Sequence, residues 1–419
     1  MGLQGQKKAK TKTMRSFSFF TIVLLCIALL LVDIVTFYWL QSLTQHINSD
    51  ILRTSIHVLF WVFTIGLVAS IIVLKVTLDD INPIRKQLLI SKFYGLTVAS
   101  FVPKIVFIII ISGLYFTNYL FSETESLYIV PIVGLFSGFL PFFIILNGIF
   151  KSVYKFKVYN HSISFDNLPK PFNGLKIVQL SDLHLGSFNY AYDKLEKAIE
   201  LINQLKPDYI VFTGDLVNNY AWELKGWETL FNKLIAIKGK YAILGNHDYG
   251  DYSKWNSKEE KQENFDAIKQ FYNSINVRLL LNEADIIIEN NEAITFVGVE
   301  NWGKPPFKQY GDLQKAIAKI QAIPFKILLS HDPSHWSEEV IDKTDISLTL
   351  SGHTHGMQAA FQYKNLQWSP IKYKFKHWVG LYNHNQQYLY VNRGLGWLGF
   401  PARIGMRPEI TLIELQATS

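Results

Sequence analysis

Long apolar stretches dominate the first 150 residues of the chain. A helix needs about 20 apolar residues to cross a bilayer, and four stretches meet that length: residues 17–40, 57–76, 93–116 and 127–150. The third stretch is interrupted by Pro103 and Lys104. A signal peptide would have a shorter apolar core followed by a small-residue cleavage site. The pattern therefore predicts a transmembrane region of four helices over residues 17–150, preceded by a basic tail over residues 1–16.

Lysine and arginine are distributed unevenly over the segments that flank these helices. The tail carries five, the first loop one, the next flank four, the third loop none, and the segment after the fourth helix three. Cytoplasmic flanks of membrane helices carry the excess of these residues. The alternation predicts a multi-pass protein of the cell membrane, with both the N-terminus and everything after residue 150 in the cytoplasm. Much of the net charge of +7 then belongs to membrane flanks, and we expect no nucleic-acid partner.

Two ionisable residues, Asp33 and Lys104, lie within the predicted membrane helices. Charges at bilayer depth are costly and are usually paired or functional. The first and third helices run parallel, and the two residues differ in depth by roughly one helical turn, at ~1.5 Å per residue. An ion pair between the helices and separate snorkelling of each side chain are both open.

From residue 151 onward, short apolar runs alternate with amphipathic segments, a pattern typical of a layered α/β domain over residues 151–419. Residues 157–165 alternate like an edge strand. Helical spacing occurs over residues 192–204, 265–274 and 313–322. Further strands are predicted at residues 175–180, 209–212, 240–244, 277–281, 286–289, 294–299, 325–329, 345–350, 388–391 and 410–415.

Five of these strands are followed by residues that can bind metal ions. Taken singly, each such residue has an ordinary explanation as a helix cap or a turn. Together they supply two carboxylates, one amide and four histidines, besides His247. Oxygen and nitrogen donors without sulfur suit two hard or borderline divalent cations such as Mn, Fe or Zn, and Cys26 is the only cysteine. The donors are Asp182, His184, Asp215, Asn246, His331, His353 and His355.

The motifs around these residues resemble the calcineurin-like metallophosphoesterase superfamily. DLHLG, GDLVN, GNHD, SHDP and GHTHG follow one another within residues 175–358. YLYVNRGL at residues 388–395 and RPEI at residues 407–410 are similar to the C-terminal part of membrane-anchored bacterial metallophosphoesterases. The resemblance implies an α/β fold, a two-sheet sandwich flanked by helices. The chain departs from the pattern at Met357, where many relatives have glycine.

The resemblance also implies a role for each candidate residue. One divalent metal ion would be bound by Asp182, His184 and His355, and a second by Asn246, His331 and His353. Asp215 would bridge the two, and a metal-activated hydroxide would attack the phosphorus. His247 would face the substrate as a catalytic residue and protonate the leaving oxygen.

Several neighbouring residues have two interpretations. Asp248 either orients His247 or caps a turn. Arg393, Arg403 and Trp302 are tentative substrate contacts, with structural roles as the alternative. Further aromatic residues after strand ends either line a lip that contacts the membrane or fill the core: Tyr249, Tyr252, Trp255 and Trp397.

The implied activity is that of a metal-dependent phosphoric ester hydrolase, a phosphodiesterase or pyrophosphatase. Because the chain carries its own membrane region, we expect a lipid-linked substrate; some anchored relatives are UDP-diacylglucosamine pyrophosphatases. The alternative is a general or cyclic-nucleotide phosphodiesterase whose membrane region serves only for location. A non-enzymatic scaffold is disfavoured because every ligand position is filled. A transporter or sensor with a regulatory phosphatase domain is supported only by Asp33 and Lys104.

Overall fold

The computed structural model describes residues 18–78, 81–116, 123–305, 308–363 and 366–418. The chain divides into two compact units, one with the N-terminal helices up to Ile149 and one that begins at Phe150. The predicted basic tail, residues 1–16, lies outside the described residues.

The first unit consists of four long helices, each apolar and long enough to cross a membrane. Large apolar side chains such as Leu59 and Phe136 are more than 60% exposed on their outer surfaces, as a lipid-facing surface requires. Helix α3 continues through Pro103, which membrane helices tolerate. Each predicted span coincides largely with one helix: α1 (Phe19–Thr44), α2 (Asp50–Thr77), α3 (Pro83–Phe116) and α4 (Glu123–Phe150).

A buried polar cluster joins three of these helices. Lys104 Nζ on α3 lies 2.6 Å from Asp33 Oδ1 on α1. Thr64 on α2 donates a hydrogen bond to the other carboxylate oxygen at 2.5 Å. The ammonium also lies over the Phe60 ring, 4.9 Å from its centroid. Asp33 is only 3% exposed, so the structure favours the interhelical ion pair over separate snorkelling.

Exchanging the two charges tests this pair. The single variants Asp33→Lys and Lys104→Asp each leave two like charges together, and disrupting a buried pair costs ~3–5 kcal/mol. We therefore expect both to lower membrane yield and the thermal midpoint of detergent-purified protein. The double variant should recover a large part of both. The same exchange at the exposed pair Asp50–Arg53 serves as control and should change little, and a double variant as poor as the singles would contradict the ion pair.

The second unit contains short helices and strands. Its helices are α5 (Leu185–Phe188), α6 (Tyr192–Gln204), α7 (Glu228–Phe231), α8 (Lys258–Ser274) and α9 (Leu313–Ile317). Its strands are β1 (Lys157–Phe165), β2 (Lys176–Leu180), β3 (Tyr209–Thr213), β4 (Gly239–Ile243), β5 (Arg278–Leu279), β6 (Glu283–Glu289), β7 (Glu292–Gly298), β8 (Phe325–Leu329), β9 (Leu348–Ser351), β10 (Phe361–Tyr363), β11 (Leu366–Trp368), β12 (Gly380–His384), β13 (Gln387–Val391) and β14 (Glu409–Ala417).

The strands form two six-stranded sheets and a separate hairpin of β10 and β11. Sheet A has the order β1-β14-β2-β3-β4-β5, and β2 to β5 run parallel. Sheet B has the order β12-β13-β9-β8-β7-β6, and β13, β9, β8 and β7 run parallel. Strand β1 lies at an edge of sheet A, as its alternating pattern predicts.

The alternation of side chains along the strands explains the layers. On β2, Ile177 belongs to the core shared by the two sheets, whereas Val178 belongs to the core between sheet A and its helices. Helix α6 contributes a stripe of Leu195, Ala198, Ile199 and Ile202 to that outer core, at the spacing of one helical face. On the other side, Leu313 and Ala316 of α9 pack with residues of sheet B. The predicted two-sheet sandwich flanked by helices is confirmed.

The differences from the predicted elements have local causes. Strands β10, β11 and β12 were not predicted, and β12 is an edge strand with mostly exposed or half-exposed side chains, so it lacks an apolar run. Helix α9 ends at Ile317 rather than at Ala322. Pro324 disfavours helical conformation at Ile323, the residue directly before it, which limits how far the helix could extend; nothing in the structure explains its end at Ile317.

Candidate active site

The predicted metal-binding residues lie at the carboxyl ends of five strands. Strands β2, β3 and β4 are neighbours in sheet A, and β8 and β9 are neighbours in sheet B. Carboxyl ends of parallel strands meet at one edge of a sheet. The two sheets therefore bring together Asp182 and His184 after β2, Asp215 after β3, Asn246 after β4, His331 after β8, and His353 and His355 after β9.

Three of these side chains form a first cluster. Asp182, His184 and His355 offer ligand atoms that all lie within 4.8 Å of one another. Nε2 of His355 lies 3.2 Å from Asp182 Oδ1 and 3.1 Å from Nε2 of His184. All three side chains are buried. This is the set that the family resemblance assigns to one metal ion.

The remaining donors form a second cluster around His331. Its Nε2 lies 3.2 Å from Asp215 Oδ2 and 3.3 Å from Nδ1 of His353. The same His353 nitrogen lies 2.8 Å from Asn246 Oδ1. Asp215 Oδ2 is also 3.6 Å from Nε2 of His184 in the first cluster. Asp215 thus lies between the two groups, the position that a bridging ligand requires.

The protonation states of three of the histidines suit cation binding. Burial lowers the pKa of His184 to about 3 and that of His353 to about 4, and it holds the pKa of His355 well below its usual range. Neutral imidazole is the metal-binding form. Nδ1 of His184 and of His355 is buried and has no hydrogen-bond partner among the described residues, while both Nε2 atoms point into the first cluster. This donor set fits the predicted divalent cations.

The pKa values of His331 and Asp215 are shifted in opposite directions. Burial disfavours protonated His331, but the adjacent Asp215 carboxylate outweighs it and raises the pKa of His331 to about 10. Burial likewise opposes ionisation of Asp215, but His331 and the neighbouring histidines hold the pKa of Asp215 well below its usual range. The buried Asp215 carboxylate therefore needs a positive charge beside it, and protonated His331 supplies part of that charge.

The loops that carry the site hold unusual backbone conformations. Five candidate ligands have positive φ: Asp182 at 50°, His184 at 45°, Asp215 at 57°, His353 at 74° and His355 at 51°. A non-glycine residue in this region costs of order 1–3 kcal/mol, and such residues cluster at functional sites. The strain aims the side chains inward from tight turns.

The carboxylate of Asp248 holds two of these loops together. It accepts hydrogen bonds from the amides of Gly245, Asp215, Leu216 and Val217, at 2.9, 3.0, 2.9 and 3.3 Å. It is fully buried. The loops after β3 and β4 are thereby fixed to each other. Of the two interpretations of Asp248, the structure supports the one in which it caps a turn.

His247 is oriented by other partners. Its Nδ1 lies 2.7 Å from the carbonyl oxygen of Asn218, and its backbone amide donates to Asp215 Oδ1 at 2.9 Å. Its ring lies against that of His184, with centroids 5.1 Å apart. The side chain is half-buried, whereas the neighbouring Asn246 and Asp248 are buried. His247 therefore borders the site from its accessible side.

Comparison with known proteins decides the family. Residues 175–357 match the calcineurin-like phosphoesterase family, and residues 14–153 match a family described as a probable calcineurin-like phosphoesterase transmembrane domain. The metallophosphoesterase YkuE of Bacillus subtilis is 32% identical over 265 residues, which cover 62% of this chain and 85% of that protein. The chain belongs to the calcineurin-like phosphoesterase family.

Two further similar proteins have names that describe phosphoesterases. A transmembrane protein with metallophosphoesterase domain from Danio rerio is 30% identical over 269 residues, 62% of this chain and 57% of that protein. Phosphodiesterase YaeI of Escherichia coli is 28% identical over 267 residues, 62% of this chain and 88% of that protein. The chain is thus a metallophosphoesterase, a metal-dependent phosphoester hydrolase, with an N-terminal transmembrane region.

The tentative substrate contacts of this metallophosphoesterase have structural partners. Arg393 is 4% exposed, pairs with Glu409 at 2.5 Å and stacks on Tyr159. Arg403 is buried, and burial lowers its pKa to about 10; it donates to the backbone carbonyls of Arg393, Gly394 and Gly396. Trp302 donates to Glu339 at 2.9 Å. These contacts favour the structural interpretation of all three side chains.

The aromatic residues after the strand ends divide in the same way. Tyr249 and Trp397 are buried in the core beside sheet A, so their core interpretation holds. Tyr252, predicted only as an aromatic of the possible lip, touches the site: its hydroxyl accepts from Asn246 Nδ2 at 2.9 Å. That bond leaves the Asn246 oxygen facing His353. The spacing of six residues between the asparagine and the tyrosine does not predict this contact.

Met357, the departure from the family pattern, is exposed and has φ of 57°. Glycine suits this region of conformation better than methionine does. The methionine side chain is exposed, whereas that of His355, two residues earlier, is buried among the candidate ligands.

Replacing Asp248 tests its role as the link between loops. Asp248→Asn places a donor among four backbone donors and removes the charge, and hydrogen bonds to a charged group contribute ~1.5–3 kcal/mol each. We expect the thermal midpoint of the full chain to fall by several degrees, at ~2–4 °C per kcal/mol, measured by fluorescence in detergent. Asp193→Asn, at an exposed carboxylate, is the matched control. An unchanged midpoint in Asp248→Asn would show that the link is dispensable.

Proposed function

We propose that this protein hydrolyses a phosphodiester or pyrophosphate bond at a centre of two divalent cations. The observation that carries the proposal is the convergence of seven metal-binding side chains. Two groups of donor atoms have Asp182 in common, Asp215 lies between His184 and His331, and His353 joins Asn246 to His331. Asp182, His184 and His355 would hold one cation, and Asn246, His331 and His353 the other. The donor chemistry suits Mn, Fe or Zn.

Bound cations supply the positive charge that neutralises phosphoryl oxygens and the Lewis acidity that activates water near neutral pH. The protein supplies the arrangement. Asp215 fixes the two clusters relative to each other, and Asp248 fixes Asp215 through its backbone amide. The buried site excludes bulk water, which strengthens every charge interaction within it.

His247 is the proposed acid for the leaving oxygen. Its Nδ1 faces the Asn218 carbonyl, which leaves Nε2 for the substrate. An imidazolium in that position can transfer its proton to the departing oxygen, and such transfer contributes typically ~10²–10⁴-fold to the rate. Its half-exposed position at the edge of the site supports this role.

We further propose that the substrate is lipid-linked and that the catalytic unit lies in the cytoplasm. A chain with four membrane helices remains at the bilayer. A protein held there meets a lipid substrate more readily than a soluble one. The excess of lysine and arginine in alternate flanks supports the orientation. We expect membrane lipids, and no nucleic acid, as the environment of the catalytic unit.

Substitutions at the centre separate metal binding from proton transfer. With Mn and bis(p-nitrophenyl) phosphate, Asp215→Asn and His355→Ala should abolish metal-dependent hydrolysis. With an alkyl phosphodiester, whose leaving oxygen needs a proton, His247→Ala should lower kcat by ~10²–10⁴-fold while metal content, measured by mass spectrometry, stays at the wild-type level. His384→Ala, at an exposed histidine, is the control. Full activity of Asp215→Asn would refute the shared-ligand assignment.

A second experiment addresses the substrate. Detergent-purified protein reconstituted into vesicles should hydrolyse a phospholipid or a nucleotide-lipid pyrophosphate in the bilayer with higher kcat/KM than soluble or cyclic nucleotides. The physical reason is that anchoring raises the effective concentration of a substrate in the same bilayer. Preference for cyclic nucleotides, with no effect of vesicles, would instead support a general phosphodiesterase whose membrane region serves location only.

A further inference from the structure

A cavity of about 340 Å³ lies beside the candidate active site and contains none of its proposed ligands. Phe375 borders the cavity, and its ring also packs edge-on against His353 with centroids 5.3 Å apart. On the other side, Asp332, which follows His331, accepts the amides of Lys304 and Ser334 at 3.1 and 2.8 Å. Both Lys304 and Ser334 line the cavity. The cavity is therefore built onto the side of the site formed by His331 and His353.

The described residues that line the cavity carry cations and hydrogen-bond donors and no carboxylate. The cations are Lys304, Lys374 and Lys376, and the hydroxyls belong to Ser334 and Ser337. Lysine binds phosphate as a point charge, and hydroxyl groups donate to phosphate oxygens. Such a lining is suited to an anion with several oxygens.

His377 adds a neutral donor in a fixed place. Its ring lies edge-on to Trp336 and Tyr382, with centroids 5.0 and 4.8 Å apart. The Tyr382 hydroxyl also accepts from the amide of Trp378 at 3.1 Å. Burial lowers the pKa of His377, and Lys376 adds to the effect. These contacts of His377 and Trp378 hold the segment that carries Lys376 in place.

Besides Asp332, whose oxygens accept the amides of Lys304 and Ser334, the carboxylate of Glu338 lies near the cavity and pairs with Lys304 at 2.7 Å. Both side chains are about half exposed. Exposed pairs of this kind contribute ~0–1 kcal/mol. A phosphate that reaches the cavity can therefore take Glu338's place beside Lys304 at little cost.

We propose that this cavity binds a second phosphate group of the substrate, separate from the one that is hydrolysed. The inference rests on the proposed function, because it assigns the reacting phosphodiester to the centre beside it. Phe375 borders both places, so the two phosphates must be joined by a spacer, such as a sugar or a glycerol, rather than by a shared oxygen. The substrate class is then a phosphodiester with an additional phosphate on one of its alcohols.

Two chromogenic nucleotides that differ by one phosphate test the proposal. The probes are thymidine 5′-(p-nitrophenyl phosphate) and the same ester with a 3′-phosphate. We expect kcat/KM of the wild type to be roughly 10-fold higher for the second, since hydrogen bonds to charged groups contribute that much. Lys304→Gln with Lys376→Gln should bring the ratio close to one and leave hydrolysis of bis(p-nitrophenyl) phosphate unchanged. Lys372→Gln, at an exposed lysine outside the cavity, should keep the wild-type ratio.

Binding without turnover separates failure of this inference from failure of the proposed function. Calorimetric titration of the purified full chain should show tighter binding of thymidine 3′,5′-bisphosphate than of thymidine 5′-monophosphate, and the double lysine variant should lose the difference. Absence of hydrolysis with this preference intact would overturn the proposed function alone. Equal affinities, or a ratio unaffected by the lysine changes, would overturn the cavity assignment. Vesicles with phosphatidylinositol or its 4-phosphate then tell whether a lipid headgroup is the preferred source of the second phosphate.

Discussion

The arrangement of the site depends on one buried carboxylate. Asp248 accepts four backbone amides from the turns that end β3 and β4, and these turns carry Asp215, Asn246 and His247. Burial, with the nearby Asp215 adding to it, raises the pKa of Asp248 to about 7, a sign of how far this group is from water. Four aligned donors compensate for that loss of solvation. Two strand ends that are separate in sequence thus behave as one rigid support.

The backbone conformation of the ligand loops also positions the donors. Five of the candidate ligands have left-handed φ, so β2, β3 and β9 are each followed by a sharp turn at a candidate ligand. The core beneath is packed on both faces of each sheet, which makes the strand ends firm enough to hold strained turns. The rigid sheets hold the strained loops in place, and the loops in turn hold donor side chains that would otherwise repel one another or move apart.

Much of this architecture follows from local sequence. The bounds of β1, β8 and α6 match their apolar patterns, because an element that is buried on one or both faces has apolar residues at a regular spacing. The site donors could be found because they follow strands in order. The links around them could not: Asp248 looks like any turn residue, and Tyr252 reaches Asn246 only through the fold. The lysines of the cavity come from separate segments, Lys304 from one and Lys374 and Lys376 from another, and only packing of sheet B with its loops brings them together.

The donors of the site come from both layers of the sandwich. Asp182, Asp215 and Asn246 follow strands of sheet A, whereas His331, His353 and His355 follow strands of sheet B. Any ion held by this set joins the two sheets, so its binding free energy also opposes their separation. Metal supply and the stability of the fold are then linked, so a cell that lacks these cations would lower the protein's stability as well as its activity.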